Sequence, residues 1–360
     1  MVLSSSHKVV ADAPKPSGPP AAPARPVPVE LSDRYNAAGI LKRIQESVAF
    51  SVRDGAHELT FRALGTGCRI SFVAAPALAS IFRTAALNWI ANFEAKYSRF
   101  WPESLISEIN RSAGGDWIQL DAEAERLFAL CNELHFLTRG ILDPTALPLI
   151  QLWNWKEPRA TLPTDAEIAA AKAKVGWRRV QRTPGKIRLP ETGMSVDLGG
   201  IGKEYAVDQI SQLARQFGVS GALVDFGADL RVFGNPPDGR PAWHIGLEDP
   251  TKPGACWTGL AIRDAAVATS GDYIRRFERD GVRYGHILDV RTGRPVANGV
   301  RAVSVMAPSC TQAGMLSTAI FVLGPEEGIR LLDSTIGVTG AIVTKSGTVT
   351  SRTFFNHATS

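Results

Sequence analysis

The chain has 360 residues, 44% hydrophobic and 21% charged, which is ordinary for a soluble globular protein and enough for a large core. Its formal charge of +5 comes from scattered Lys and Arg with no basic stripe interleaved with aromatics, so anionic small ligands fit better than nucleic acid. Cys68, Cys131, Cys256 and Cys310 stand far apart, with no C-x-x-C and no zinc-spaced Cys/His group. They read as reduced thiols of a cytoplasmic protein. No apolar run reaches the roughly 18 residues of a membrane span, and Met1 to Val10 lacks the apolar core of a secretory leader.

Seven of the fifteen residues from Pro14 to Pro28 are proline, so this stretch reads as an extended, solvated arm. A short helix within Leu31 to Phe50 bridges the arm to the body. The body is expected to start near His57, giving an arm at 1–56 and one domain at 57–360. Strands are expected at 59–64 and 68–73, followed by helical periodicity from Leu78 to about Tyr97 and a helix from Ala122 to Arg139 with Asp121 as its N-cap. Thr164-Asp-Ala-Glu167 is a capping box. An amphipathic helix fits Ile201 to Phe217. Short strands follow at 222–226, 230–233, 243–248, 260–262 and 302–306, then a helix from Thr311 to Leu323 and a terminal hairpin across Lys345-Ser-Gly347. Elements of one type come in runs, which favours an α+β fold over a doubly wound sheet.

The segment Ser195-Val-Asp-Leu-Gly-Gly-Ile-Gly-Lys-Glu-Tyr-Ala-Val-Asp208 carries the most chemistry. It reads as a buried strand ending, an acid, paired glycines and a lysine ahead of a helix. Glycines let backbone N–H groups approach phosphate oxygens, and the helix N-terminus adds partial positive charge. Asp197 and Glu204 stand where a P-loop needs Gly and Ser or Thr, and the glycines lack the dinucleotide-fold spacing.

Further segments accompany it: Leu64-Gly-Thr66; Tyr97-Ser-Arg-Phe-Trp-Pro-Glu-Ser104 with Asn110; Asp143-Pro-Thr145; Ala268-Thr-Ser-Gly-Asp-Tyr273; and Tyr284-Gly-His-Ile-Leu-Asp-Val-Arg-Thr-Gly-Arg-Pro295 leading to Ser317-Thr-Ala-Ile-Phe-Val-Leu-Gly324. In this order, from about Leu59 to Phe355, they resemble the ApbE family, the FAD:protein FMN transferases. The resemblance implies an α+β, ApbE-like (T-fold-related) architecture of mixed sheets with packed helices, a single catalytic domain built of two α+β subdomains. It also implies FAD as substrate, a magnesium ion, and transfer of FMN to a Ser or Thr hydroxyl of another protein with release of AMP. Family acceptors resemble Ser/Thr-Gly-Ala-Ser/Thr; the nearest match here, Thr339-Gly-Ala-Ile342, fails at its last position, so the acceptor is expected to be a separate protein.

By position, the resemblance implies that Leu64, Phe100, Ile141, Leu142, Asp143, Asp197 and Lys203 contact FAD. It implies that the Gly200 carbonyl and Thr318 hold the metal, and that His286 acts near the reacting centre as a base or to orient the acceptor hydroxyl. Each has a plainer alternative: Phe100 as core, Asp143-Pro144 as a turn, His286 as a structural histidine. Asp289 reads as the cap of the Arg291-Thr-Gly293 turn.

One departure stands out. The resemblance implies a second metal ligand, an aspartate four residues before Thr318, and this chain has Gly314 there, with no acid between Val303 and Pro325. Loss of a carboxylate should weaken a magnesium site, and Gly314→Asp is expected to tighten it. Three readings follow: a transferase with a weakened or rebuilt metal site, an FAD-binding homologue without transfer chemistry, and an FAD pyrophosphatase giving FMN and AMP.

Overall fold

A computed structural model describes residues 28–252, 254–273 and 275–359. The proline-rich arm expected at 14–28 lies almost wholly outside the described residues. The packed body reaches back ahead of His57. The helix Ala37–Gln45 buries Ala37, Ile40 and Ile44, and the strand Ala49–Arg53 pairs with Ala56–Ala63. Asn88 and Asn92 on the following helix donate to the carbonyls of Val29 and Glu30 at 2.9 and 2.8 Å. The boundary at 57 is therefore too late: three core side chains and an edge strand lie before it.

One nine-stranded sheet organises the chain, in the order Ala49–Arg53, Ala56–Ala63, Thr66–Val73, Gly221–Phe226, Asp229–Phe233, Ala266–Gly271, Val300–Ala307, Thr339–Thr344 and Gly347–Thr350. Every neighbouring pair in it is antiparallel. The N-terminal and C-terminal α+β halves share this sheet. Strand side chains alternate between two cores, as the pleat requires. Ala222, Val224 and Val305 face the helices, whereas Leu223, Val232 and Met306 face a small three-stranded sheet of Trp243–Glu248, Cys256–Ile262 and Ala358–Thr359.

The helical layer consists chiefly of Pro76–Tyr97, Gly202–Gln216 and Cys310–Leu323. Asp121 caps Ala122–Leu137 through the Ala124 N–H, and Thr164 with Glu167 forms the expected capping box. Cys310–Leu323 is apolar almost all round because it is wedged between the sheet and its helical neighbours.

Candidate active site

The site forms where loops from both halves meet one end of the sheet. Two tight hairpins mark that end. Leu64-Gly65 turns with φ of 52° and 72°, and Gly227-Ala228 with 67° and 69°, the positive pairs that a two-residue hairpin needs. The tips press together, since a β-carbon on Gly227 would lie 2.3 Å from Thr66 Oγ1. Leu64 carries real strain, being a non-glycine in left-handed geometry, and its N–H donates to Glu94 Oε2 at 2.9 Å. Asp229 closes the second hairpin and is buried there.

The segment Ser195–Leu198 is not the strand ending expected from its apolar residues. It is an extended linker clamped by Asn110, whose Nδ2 donates to the Val196 carbonyl at 2.9 Å and whose Oδ1 accepts the Val196 N–H at 2.6 Å. The Asp197 N–H then donates to the Pro144 carbonyl at 2.8 Å, which fixes this segment beside 141–145. Asp197 Oδ1 accepts the Gly199 N–H at 3.0 Å, and Oδ2 lies 3.3 Å from Arg99 Nε. Gly200 is exposed, and its carbonyl takes no backbone hydrogen bond among the described residues.

Of the segment 141–143, Leu142 uses both backbone groups internally, with His135 Nδ1 at 3.0 Å from its carbonyl and Thr138 Oγ1 accepting its N–H at 3.1 Å. Ile141 is buried. The Asp143 carboxylate accepts the N–H groups of Thr145 and Trp177 at 2.8 and 3.0 Å. The turn alternative thus describes the Asp143 side chain. The core alternative for Phe100 falls: it is 65% exposed, with the Arg99 guanidinium 4.1 Å and the Lys156 ammonium 5.3 Å from its ring centroid.

On the helix Gly202–Gln216, Lys203 ion-pairs with the buried carboxylate of Asp229 and lies 3.4 Å from Glu204 Oε1. Asp229 Oδ1 also accepts the Thr269 N–H at 3.2 Å, and the next residue, Ser270, hydrogen-bonds Thr318 and Ser317 through its hydroxyl at 2.9 Å each. Lys203 and Thr318 are therefore linked through Asp229, Thr269 and Ser270.

Gly314 offers no side chain, and its carbonyl accepts the Ser317 hydroxyl at 3.0 Å. A β-carbon there would lie 2.5 Å from Glu204 Cγ. Gly314→Asp, expected to tighten magnesium binding, therefore requires the Glu204 side chain to move out of the space it fills.

His286 leans on the edge of Trp155, ring centroids 6.3 Å apart, with Nδ1 3.2 Å from the Arg275 carbonyl. That geometry makes Nδ1 the donor and leaves Nε2 with a free lone pair. Burial, then the positive charges of Arg275 and Lys203, hold its pKa down to about 4, so the imidazole is neutral at pH 7. Asp289 caps its own turn, accepting the Arg291 N–H at 2.9 Å.

The ApbE family model matches residues 64–343. The chain belongs to the ApbE family.

The chain is 30% identical over 276 residues to the FAD:protein FMN transferase of Vibrio cholerae, covering 75% of this chain and 82% of that one. It is 32% identical over 300 residues to the enzyme of the same name from Treponema pallidum, covering 76% and 81%. Among solved structures, the ApbE protein of Thermotoga maritima superposes with a TM-score of 0.77 at 32% identity, covering 85% of this chain and all of that one. The flavin transferase ApbE of Vibrio cholerae gives 0.75 at 27% identity, covering 86% and 99%.

Three residues that the structure links to Lys203 and Thr318 have no role assigned from the sequence. Asp229 is hidden in a hairpin turn, Ser270 sits inside a recognised segment without an assigned role, and Glu204 is read only as the residue that breaks a P-loop. Glu204 and Asp208, four apart on one helix face, were the available signal.

Proposed function

We propose that this ApbE-family chain is an FAD:protein FMN transferase, the activity for which its relatives are named. The observation that carries the reading is the start of the helix Gly202–Gln216, where Lys203, Glu204, Asp229, Ser270 and Thr318 meet beside an open glycine turn. A helix N-terminus and a lysine favour a pyrophosphate. Phe100, exposed between two cations, offers a stacking face for an aromatic ring of FAD, and Leu64 an apolar contact for the flavin. Asp197 and the backbone of 141–143 flank the same turn.

The reaction forms a P–O bond from the acceptor hydroxyl to the FMN phosphorus as the pyrophosphate bond to AMP breaks. Neutral His286, with Nε2 free, is suited to take the hydroxyl proton. The divalent cation assigned to this site, magnesium, fits an all-oxygen set: the Gly200 carbonyl, the Thr318 hydroxyl and a buried carboxylate oxygen of Glu204 that has no hydrogen-bond partner. When bound it neutralises charge on the phosphate oxygens. Lys203 contributes a second, fixed positive charge and is itself oriented by Asp229.

We assign as acceptor a protein carrying Ser/Thr-Gly-Ala-Ser/Thr, and a reducing compartment suits the four free thiols. No helix among the described residues is long and apolar enough to cross a membrane. The test incubates the protein with FAD, magnesium and an acceptor peptide, reading in-gel flavin fluorescence together with AMP release. Labelled acceptor with equimolar AMP is expected. AMP without label identifies a pyrophosphatase, and FAD binding with neither product identifies a carrier.

A further inference from the structure

Glu204 and Gly314 belong to facing helices and compete for one volume. With a β-carbon on residue 314, Glu204 Cγ, Cδ and Oε1 would lie 2.5, 3.2 and 3.4 Å from it. An acidic side chain at 314 and the present Glu204 rotamer exclude each other. Glycine inside a helix costs about 1 kcal/mol relative to alanine, and here that cost admits the Glu204 side chain.

Glu204 is 8% exposed, and its Oε2 is buried with no hydrogen-bond partner. A carboxylate oxygen stranded in this way is costly unless something positive meets it. Lys203 does not fully supply that charge, since its ammonium is 3.4 Å from Oε1 and is paired more closely with Asp229. Thr318 lies one turn beyond Gly314 on the same helix, and Gly200 lies just ahead of the helix that carries Glu204.

We propose that Glu204 is the acidic ligand of the divalent cation in this chain, supplied from the helix Gly202–Gln216 in place of a carboxylate on Cys310–Leu323. The ligand charge is kept while its point of attachment moves across the helix interface. This rests on the metal-assisted transfer reading above, and binding measurements separate the two.

The test titrates magnesium chloride into the FAD-loaded protein by calorimetry, with FAD affinity followed separately by flavin fluorescence. Glu204→Gln keeps the shape and removes the charge. It should weaken magnesium more than about 100-fold, beyond what loss of an outer-shell partner commonly costs, while FAD affinity without metal is unchanged. Its metal-free thermal midpoint should stay level or rise, since a buried, partly unpaired charge is removed. Gly314→Asp alone should lower that midpoint by collision with Glu204. The double variant Glu204→Gly with Gly314→Asp should recover magnesium affinity to within about threefold, about 0.65 kcal/mol. Wild-type magnesium affinity in Glu204→Gln overturns the proposal, as does a folded double variant that binds no better than Glu204→Gln. A wild type that binds magnesium through Glu204 yet neither labels acceptor nor releases AMP overturns the transferase reading alone.

Discussion

Asp208 caps Thr311 across the helix interface: its Oδ2 accepts the Thr311 backbone N–H at 2.9 Å and hydroxyl at 2.8 Å. Its Oδ1 accepts the Cys310 N–H at 2.9 Å and an Arg231 N–H at 2.7 Å. One carboxylate thus locks the start of the helix carrying Thr318 to the helix carrying Lys203 and Glu204. Asp208→Asn keeps the shape but leaves Arg231 and two helix N–H groups short of charge. It should cost about 2–4 kcal/mol in urea unfolding, and an unchanged midpoint would show that Asp208 does not hold the two helices together.

Lys203→Met leaves the buried carboxylate of Asp229 without its ammonium. A loss of about 3–5 kcal/mol is expected, together with weakened FAD binding. Adding Asp229→Asn should restore at least half of the stability but not the FAD affinity. Equal losses in the single and double variants would refute the pairing.

His286→Gln should lower the transfer rate about 10²–10⁴-fold with FAD affinity unchanged. The folded pKa of about 4 lies below the ordinary histidine value of 6.5. This group therefore imposes no fall in kcat/KM between pH 7 and 5, and a fall only as pH approaches 4. For stability, the unfolded chain takes up this proton first, so the wild type loses stability as pH drops from about 6.5 towards 4. Thermal midpoints across that range should decline less steeply in His286→Gln; parallel declines would count against the burial of a neutral imidazole.

Leu64→Asn puts a residue that tolerates left-handed geometry at a strained hairpin position. The thermal midpoint should hold or rise while FAD affinity falls, because the apolar contact is lost. If FAD affinity is unaffected, Leu64 has no part in binding flavin.

Of the four thiols, Cys256 is exposed, and burial pushes Cys68 and Cys131 each up to about 12. Cys310 is raised for the same reason. An aromatic disulfide reagent at pH 8 should titrate one thiol in the native protein and four after unfolding. Rapid reaction of a second native thiol would contradict the packing around the core cysteines.

The local elements were legible wherever the signal was local. Asp121, the Thr164–Glu167 box and the apolar periods of 76–97 and 202–216 act within a turn or two of chain, and they form as the residues predict. Ser195–Leu198 misled because apolar residues alone do not specify strand; its backbone partner is the Asn110 side chain, 86 residues away. The body reaches ahead of residue 57 because the buried stripe of Ala37, Ile40 and Ile44 announces a helix but not what that helix packs against.

The sequence by itself determined the family, the α+β class and the order of the segments that build the site, because each is written in contiguous residues. It also placed Gly314 where the resemblance implies an acid. Only the tertiary structure decided what stands in that space. Whether Glu204 can fill it depends on two helices, 110 positions apart along the chain, being held face to face by Asp208 and on the absence of one β-carbon. Excluded volume between distant segments has no periodicity and no motif, so it appears only when the chain is folded.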